Sequence, residues 1–274
     1  MSPGEFRRRH RPGAPLLLPN AWDLASARWL VGAGFDVVGT TSLGVAFAAG
    51  KPDGSGAIAE ETSALASTLT RAGIAVTVDI EAGFSDDPDD VGRYASRLAA
   101  LGVVGLNLED SDGRGGLVDV DLAVAKVAAV AHAAPEVFLN ARTDPFWLAR
   151  GDPAADLAAA EGTALERGVA YVAAGASGVF VPGALPPATM RTLAAQLPAP
   201  LNVLVQERLG VAELARSGVA RVSTGSLLFR SALAAVRDGA AALRGVPPAG
   251  VPSYDDVAGA GATDRGMGDV EESG

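Results

Sequence analysis

The sequence predicts a (β/α)₈ barrel, the TIM-barrel fold, and three observations predict it. Short apolar, β-branched runs alternate with Ala- and Leu-rich stretches of helical length, the pattern of a parallel sheet with crossover helices. The strand candidates number eight, which selects a closed barrel over an open doubly wound sheet. A recurrent junction of helix, Gly and buried strand joins the units at Ala33-Gly34-Phe35, Ala72-Gly73-Ile74, Leu101-Gly102-Val103, Ala174-Gly175-Ala176 and Ser217-Gly218-Val219. Glycine suits the left-handed position that ends a helix.

In chain order the strands are Leu16–Pro19, Asp36–Thr40, Ile74–Ile80, Val103–Glu109, Val137–Arg142, Gly178–Val181, Leu201–Val205 and Ala220–Thr224. Helical stretches follow them at 23–33, 59–72, 88–101, 120–134, 153–174, 187–196, 211–217 and 226–243. The barrel therefore occupies residues 14–244 as one catalytic domain. Residues 1–13, with basic Arg7, Arg8, Arg9, His10 and Arg11, read as a flexible arm. Residues 245–274, rich in Gly, Pro and acid, read as a tail.

Composition narrows the function classes. A net charge of −10 argues against nucleic acid or an anionic membrane as a partner, though not against an anionic substrate at a local site. With no cysteine there is no disulfide, thiolate zinc site or catalytic thiol, and a reducing, cytoplasmic setting is expected. The apolar run Leu16–Leu18 is too short for an export signal, and no segment reaches the length of a membrane span. Lys51 and Lys126 are the only lysines, and no strand carries one, which excludes a Schiff-base aldolase. The two histidines, His10 and His132, lie in the arm and in a helix, so a Ser-His hydrolase and a histidine metal site are not expected.

Carboxylate chemistry remains. Barrel enzymes work at the C-terminal ends of their strands. Strand three ends in Asp79-Ile80-Glu81, two acids spaced to share one face of a strand, and strand four ends in Glu109-Asp110. Three acids at one mouth repel unless a cation sits among them, and oxygen-only ligands select a hard ion such as Mg²⁺, with Mn²⁺ as its substitute. For any one of these acids a helix cap or solvated loop is the more ordinary role; together, each at the end of an apolar run, they point to a metal. Arg142 ends strand five as a clamp for a carboxylate or phosphonate, its structural alternative being an ion pair with Asp144 or Glu109. The segment Thr40–Gly44 offers small residues whose amides suit an anion, a pattern that an ordinary loop shares, and Gly50–Gly56, carrying Lys51 and Asp53, reads equally as a lid or as a turn. Ser223-Thr224-Gly225-Ser226 leads into the last helix, at a place where barrels often bind phosphate but where a helix cap also wants Ser or Thr.

These residues, in this order, resemble the isocitrate lyase/phosphoenolpyruvate mutase superfamily. The matching segments are Pro19–Asp23, Thr40–Gly44, Asp79–Phe84, Gly105–Asp110, Asn140–Asp144 and Val179–Gly183, over about residues 15–240. The resemblance implies that Asp79, Glu81 and Glu109 hold Mg²⁺, partly through water, and that Asp53 is the acid of the loop over the site. It implies that Arg142 grips the substrate's anionic group and that Thr41, Ser42 and Leu43 bind substrate oxygens. It also implies a homo-oligomer, dimer or tetramer, in which the last helix is swapped between neighbours. The loop Ser111–Gly116 has no Cys, Lys or His where the lyases carry a cysteine loop, which points away from isocitrate and methylisocitrate lyase activity. Arg114 and Asp112 are its charged candidates for a proton donor. Glu81 stands where mutases more usually have Asp, and Phe84 where Tyr is common. The expected activity is cleavage or formation of a C–C or C–P bond beside a small 2-oxo acid through a metal-stabilised enolate. A phosphonomutase is the alternative within the fold, and a non-catalytic oxo-acid-binding barrel the alternative outside enzymology.

Overall fold

Pro19 splits the first strand of the sheet. Proline has no N–H to give a ladder, and the chain on either side of it turns to different neighbours. In the computed structural model, which describes residues 1–152 and 154–262, β1 (Leu16–Leu18) pairs with the last strand and β2 (Asn20–Ala21) with the next one. Between them run β3 (Val38–Thr40), β4 (Val76–Asp79), β5 (Gly105–Glu109), β6 (Phe138–Arg142), β7 (Gly178–Val181), β8 (Leu201–Leu204) and β9 (Arg221–Ser223). All pairs are parallel, in the order β1-β9-β8-β7-β6-β5-β4-β3-β2. Because β1 and β2 are consecutive halves of one strand, these nine segments fill the eight positions of an α/β barrel.

The strands are continuous apolar runs because helices cover their outer faces. Val76, Val78, Leu106, Leu139 and Ala141 are fully or almost fully buried against Val91, Leu98 and Val127 of the helices. The covering helices are α2 (Leu24–Gly32), α4 (Ala59–Arg71), α5 (Pro88–Ala100), α6 (Val120–Ala133), α8 (Leu157–Ala173), α9 (Pro187–Gln196), α10 (Val211–Arg216) and α11 (Leu227–Ala242). Acidic residues start several of them. Asp23 and Ser26 form a reciprocal capping box on α2, and the carboxylates of Asp87, Asp119 and Asp156 accept first-turn amides of α5, α6 and α8. No helix among the described residues is long and apolar enough to cross a membrane.

Both ends of the chain depart from the sequence reading. Residues 1–13 are not a loose arm: α1 (Pro3–Arg8) inserts Phe6, with no exposed surface, against Leu18, Val104 and Phe138. His10 stacks on Phe138 with ring centroids 3.9 Å apart, and Arg9 pairs with Asp36 at 2.8 Å. Burying one such Phe is worth about 1.5–3 kcal/mol, which helps to fix a segment that also carries four arginines. At the opposite end of the chain, α12 (Tyr254–Ala262) lies across α3 (Ser42–Ala48) and α11, with Val257 buried against Leu43 and Phe229. The remainder of the expected tail, 263–274, lies outside the described residues.

Candidate active site

One cavity of ≈ 500 Å³ opens at the C-terminal ends of the strands. Asp53, Asp79, Glu109, Arg142 and the segment Thr41-Ser42-Leu43 all line it. Asp79 is the last residue of β4 and lies in register with Asn107 of β5, two positions before Glu109. Glu109 in turn lies opposite Arg142 of β6. The ladder thus sets the acid and the base side by side.

The Glu109–Arg142 contact is 2.6 Å, and Arg142 also donates two hydrogen bonds to Asp144, at 2.6 and 2.9 Å. The Arg142 guanidinium rests over the rings of Trp147 and Phe180, at 5.6 and 5.8 Å. Burial works against its charge, but Asp144 and Glu109 more than offset it and hold its pKa well above the ordinary value. Asp144, without exposed surface, is pushed up to about 7 by burial, against the pull of Arg142. Of the five N–H donors of a guanidinium, three are given to these carboxylates, and two remain for a ligand. The structural alternative weighed for Arg142, an ion pair with Asp144 and Glu109, is present, and the residue also lines the cavity.

Glu81 departs from the expected geometry. The strand ends at Asp79, and Glu81 takes φ +46°, in the left-handed region, so the two-residue spacing no longer sets both acids on one face. Its carboxylate accepts the amides of Gly54 at 3.3 Å and Gly56 at 2.8 Å, and it does not line the cavity. Burial first, then the nearby charges of Asp53, Glu109 and Asp79, push its pKa up to about 8 despite the Gly56 amide. A non-glycine residue held in that region marks local strain of the kind found at functional sites. Phe84, at φ +61°, is a second. Asp110, the alternative third acid, is fully committed elsewhere: it accepts from Thr143, Tyr171, Arg167 and the Asp144 amide, and so fixes the turn after β6.

Asp79, Glu81 and Glu109 are thus not gathered as direct ligands, and no three acidic or histidine side chains among the described residues stand in direct-ligation spacing. Of the acids that line the cavity, Asp53, Asp79 and Glu109 form an oxygen-only donor set, and Glu207 lines it from the loop after β8. Burial and mutual repulsion raise the pKa of Asp79 and Glu109, although Arg142 pulls both down. Asp53 Oδ2 accepts from the Tyr254 hydroxyl at 2.7 Å, while its buried Oδ1 has no hydrogen-bond partner. That combination fits a hard cation that keeps several waters and takes one or two carboxylates directly.

Two loops close over these acids. Loop 50–56 brings Asp53 and is tied down through Glu81. Loop 111–116 is a small hairpin pinned by Asp112, which accepts the amides of Arg114 and Gly116, while the Ser111 hydroxyl donates to Glu109 at 2.7 Å. The side chain of Arg114 is exposed and outside the cavity lining, so the expected proton donor is not at the site in this arrangement. The sequence reading missed Tyr254, together with Trp147 of α7 (Pro145–Leu148), Arg150 two residues beyond that helix, and Arg230 of α11. Pro145 after Asp144 signalled a helix start; nothing local in the sequence ties Tyr254 to a loop some two hundred residues earlier.

A profile of the phosphoenolpyruvate phosphomutase family matches residues 6–244. The chain belongs to that family. An uncharacterized protein of Mycobacterium tuberculosis is 41% identical over 249 residues, 88% of this chain and 92% of its own. The crystal structure of a candidate phosphonomutase from Burkholderia cenocepacia J2315 superposes with a TM-score of 0.81 at 39% identity, covering 89% of this chain and 99% of that one. 2,3-Dimethylmalate lyase, a member of the phosphoenolpyruvate mutase/isocitrate lyase superfamily, shares the fold at a TM-score of 0.76 and 23% identity, over 93% and 94% of the two chains. The expected membership of this superfamily and the barrel are both borne out.

Proposed function

We propose that the protein is a Mg²⁺-dependent cytoplasmic enzyme, able to use Mn²⁺, that cleaves or forms a C–C or C–P bond next to a small 2-oxo acid. The observation that carries this reading is one cavity in which Asp53, Asp79 and Glu109 stand with an arginine that keeps free donors. Asp79 with Asp53 and Glu109 would hold the cation, largely through water, and Glu81 acts behind them by fixing the loop that brings Asp53. When bound, the cation supplies positive charge for the enolate oxygen that develops as the bond breaks.

The rest falls to the chain itself. The unused N–H groups of Arg142 take the substrate's anionic group, in bidentate fashion where it is a carboxylate. Thr41, Ser42 and Leu43 face its oxygens from the adjoining strand end. Loops 50–56 and 111–116 shut out water, which would otherwise protonate the enolate. Assay of a panel of 2-oxo and 2-hydroxy acids tests the reading. Product release should vanish on thorough chelation and return with Mg²⁺; turnover that survives chelation overturns it.

The family match and the likeness to a candidate phosphonomutase favour a second reading, rearrangement of a phosphonate. Phosphorus NMR with phosphonopyruvate separates the two, since rearrangement moves the signal and cleavage releases phosphate. We further propose a homo-oligomer, supported by Val236 and Leu243, apolar residues of α11 and its end that are 72% and 90% exposed.

A further inference from the structure

Arg221 crosses the middle of the barrel. It opens β9, and its Nη2 donates at 3.3 Å to Asn107 Oδ1 on β5, four strand positions away and so on the opposite side. The side chain has no exposed surface, and its guanidinium lies 6.0 Å from the ring of Phe6, which α1 inserts into the barrel. No carboxylate among the described residues lies within ion-pair distance of it. Its Nε and Nη1 have no hydrogen-bond partner among them either.

A buried arginine without a counter-ion opposes folding, because its charge is desolvated and two of its donor groups go unused. Burial pushes its pKa down to about 9, with Asp79 the acid that pulls the other way, so it stays charged at neutral pH. Asn107 shows what that charge can do. An arginine has donors only, so the Asn107 amide must turn its oxygen toward Arg221. The same oxygen accepts from Asn140 Nδ2 at 3.0 Å, which fills both of its lone pairs. Asn107 lines the cavity, in register with Asp79 and two residues before Glu109. Its Nδ2 gives no hydrogen bond to a described residue, and its two N–H groups are left for a ligand.

We propose that Arg221 is a positioning residue for an anionic ligand: it turns the Asn107 N–H groups into the cavity and sets a fixed positive charge behind Asp79. This rests on the oxo-acid reading of the cavity and deepens it. The group served is an oxygen anion bound next to the cation, where the Asn107 amide donates to it and Arg221 offsets its charge from within the barrel.

Calorimetry on the full chain tests this, with Mn²⁺ alone and with oxalate on the Mg²⁺-loaded protein. Arg221→Met should weaken oxalate by about tenfold or more. The same substitution should tighten Mn²⁺ by about threefold, since a positive charge behind the cation is gone. It should also raise the melting temperature by about 2–4 °C, because an unmatched buried charge is replaced by an apolar side chain. Arg221→Lys, which keeps the charge, should bring back part of the oxalate affinity and return Mn²⁺ affinity toward wild type. A residue that merely held the barrel together would weaken both ligands and lower the melting temperature. Mn²⁺ affinity that stays or falls in Arg221→Met, oxalate affinity that does not change, or an Arg221→Met protein that is less stable or does not fold overturns the proposal while leaving the oxo-acid reading in place. Failure of wild type to bind oxalate overturns that reading and this proposal together.

Discussion

At the scale of single residues, Arg142 concentrates the most energy. It holds Asp144 and Glu109 inside the protein as counter-ions, and removing one partner of such a buried set leaves uncompensated charge. Arg142→Leu is therefore expected to lower unfolding free energy by about 3–5 kcal/mol in denaturant titration. A loss under about 1 kcal/mol would mean that the triad is not formed in solution. His10 makes a pH-dependent contribution of the opposite kind. Burial, then Arg221, and more weakly Arg7, depress its pKa to about 3, although the Phe6 carbonyl pulls the other way. A folded-state pKa below the ordinary 6.5 means that the neutral ring is favoured by folding, so its stabilisation is present above pH 6.5 and is lost as pH falls toward 3. Relative to His10→Phe, wild type should lose about 2 kcal/mol between pH 7 and pH 5. Parallel stability curves for the two proteins would show that the ring is solvated.

At the scale of elements, the loops decide how the site closes. Gly113 has φ +67°, and a Cβ there would meet the Gly54 carbonyl oxygen at 2.5 Å, so the hairpin 111–116 touches loop 50–56 through a glycine that nothing larger replaces. Gly113→Ala should push the two loops apart and weaken oxalate binding by about tenfold, with the melting temperature nearly unchanged because both loops are largely at the surface. Undiminished oxalate affinity would show that the loops do not close together. The barrel strands were legible from sequence because parallel strands buried on both faces read as bare apolar runs, and the helices because Gly ends them and Asp starts many of them. The short helices α1, α3, α7 and α12 were not. Each is fixed by one or two anchors, Phe6, Leu43, Phe146 and Val257, whose burial depends on distant parts of the chain. Glu81 was misplaced for a related reason, since strand periodicity says nothing about where the strand stops.

At the scale of the whole molecule, the barrel brings acids from two neighbouring strand ends and one loop to a single mouth. It seals its other end with α1 and lays α12 over the open one. Tyr254, donating to Asp53, and Asp255, holding Arg150, make α12 part of the site's surround, so a helix near residue 254 completes a cavity whose donor set comes from residues 53 to 109. The central claim is that Asp79, with Asp53 and Glu109, holds a divalent cation. Its most direct test is Mn²⁺ titration followed by electron paramagnetic resonance on wild type and Asp79→Asn. One bound Mn²⁺ per chain, displaced by Mg²⁺ and weakened tenfold or more by the substitution, is the predicted result. The same affinity in both proteins, or no bound ion in wild type, would contradict it.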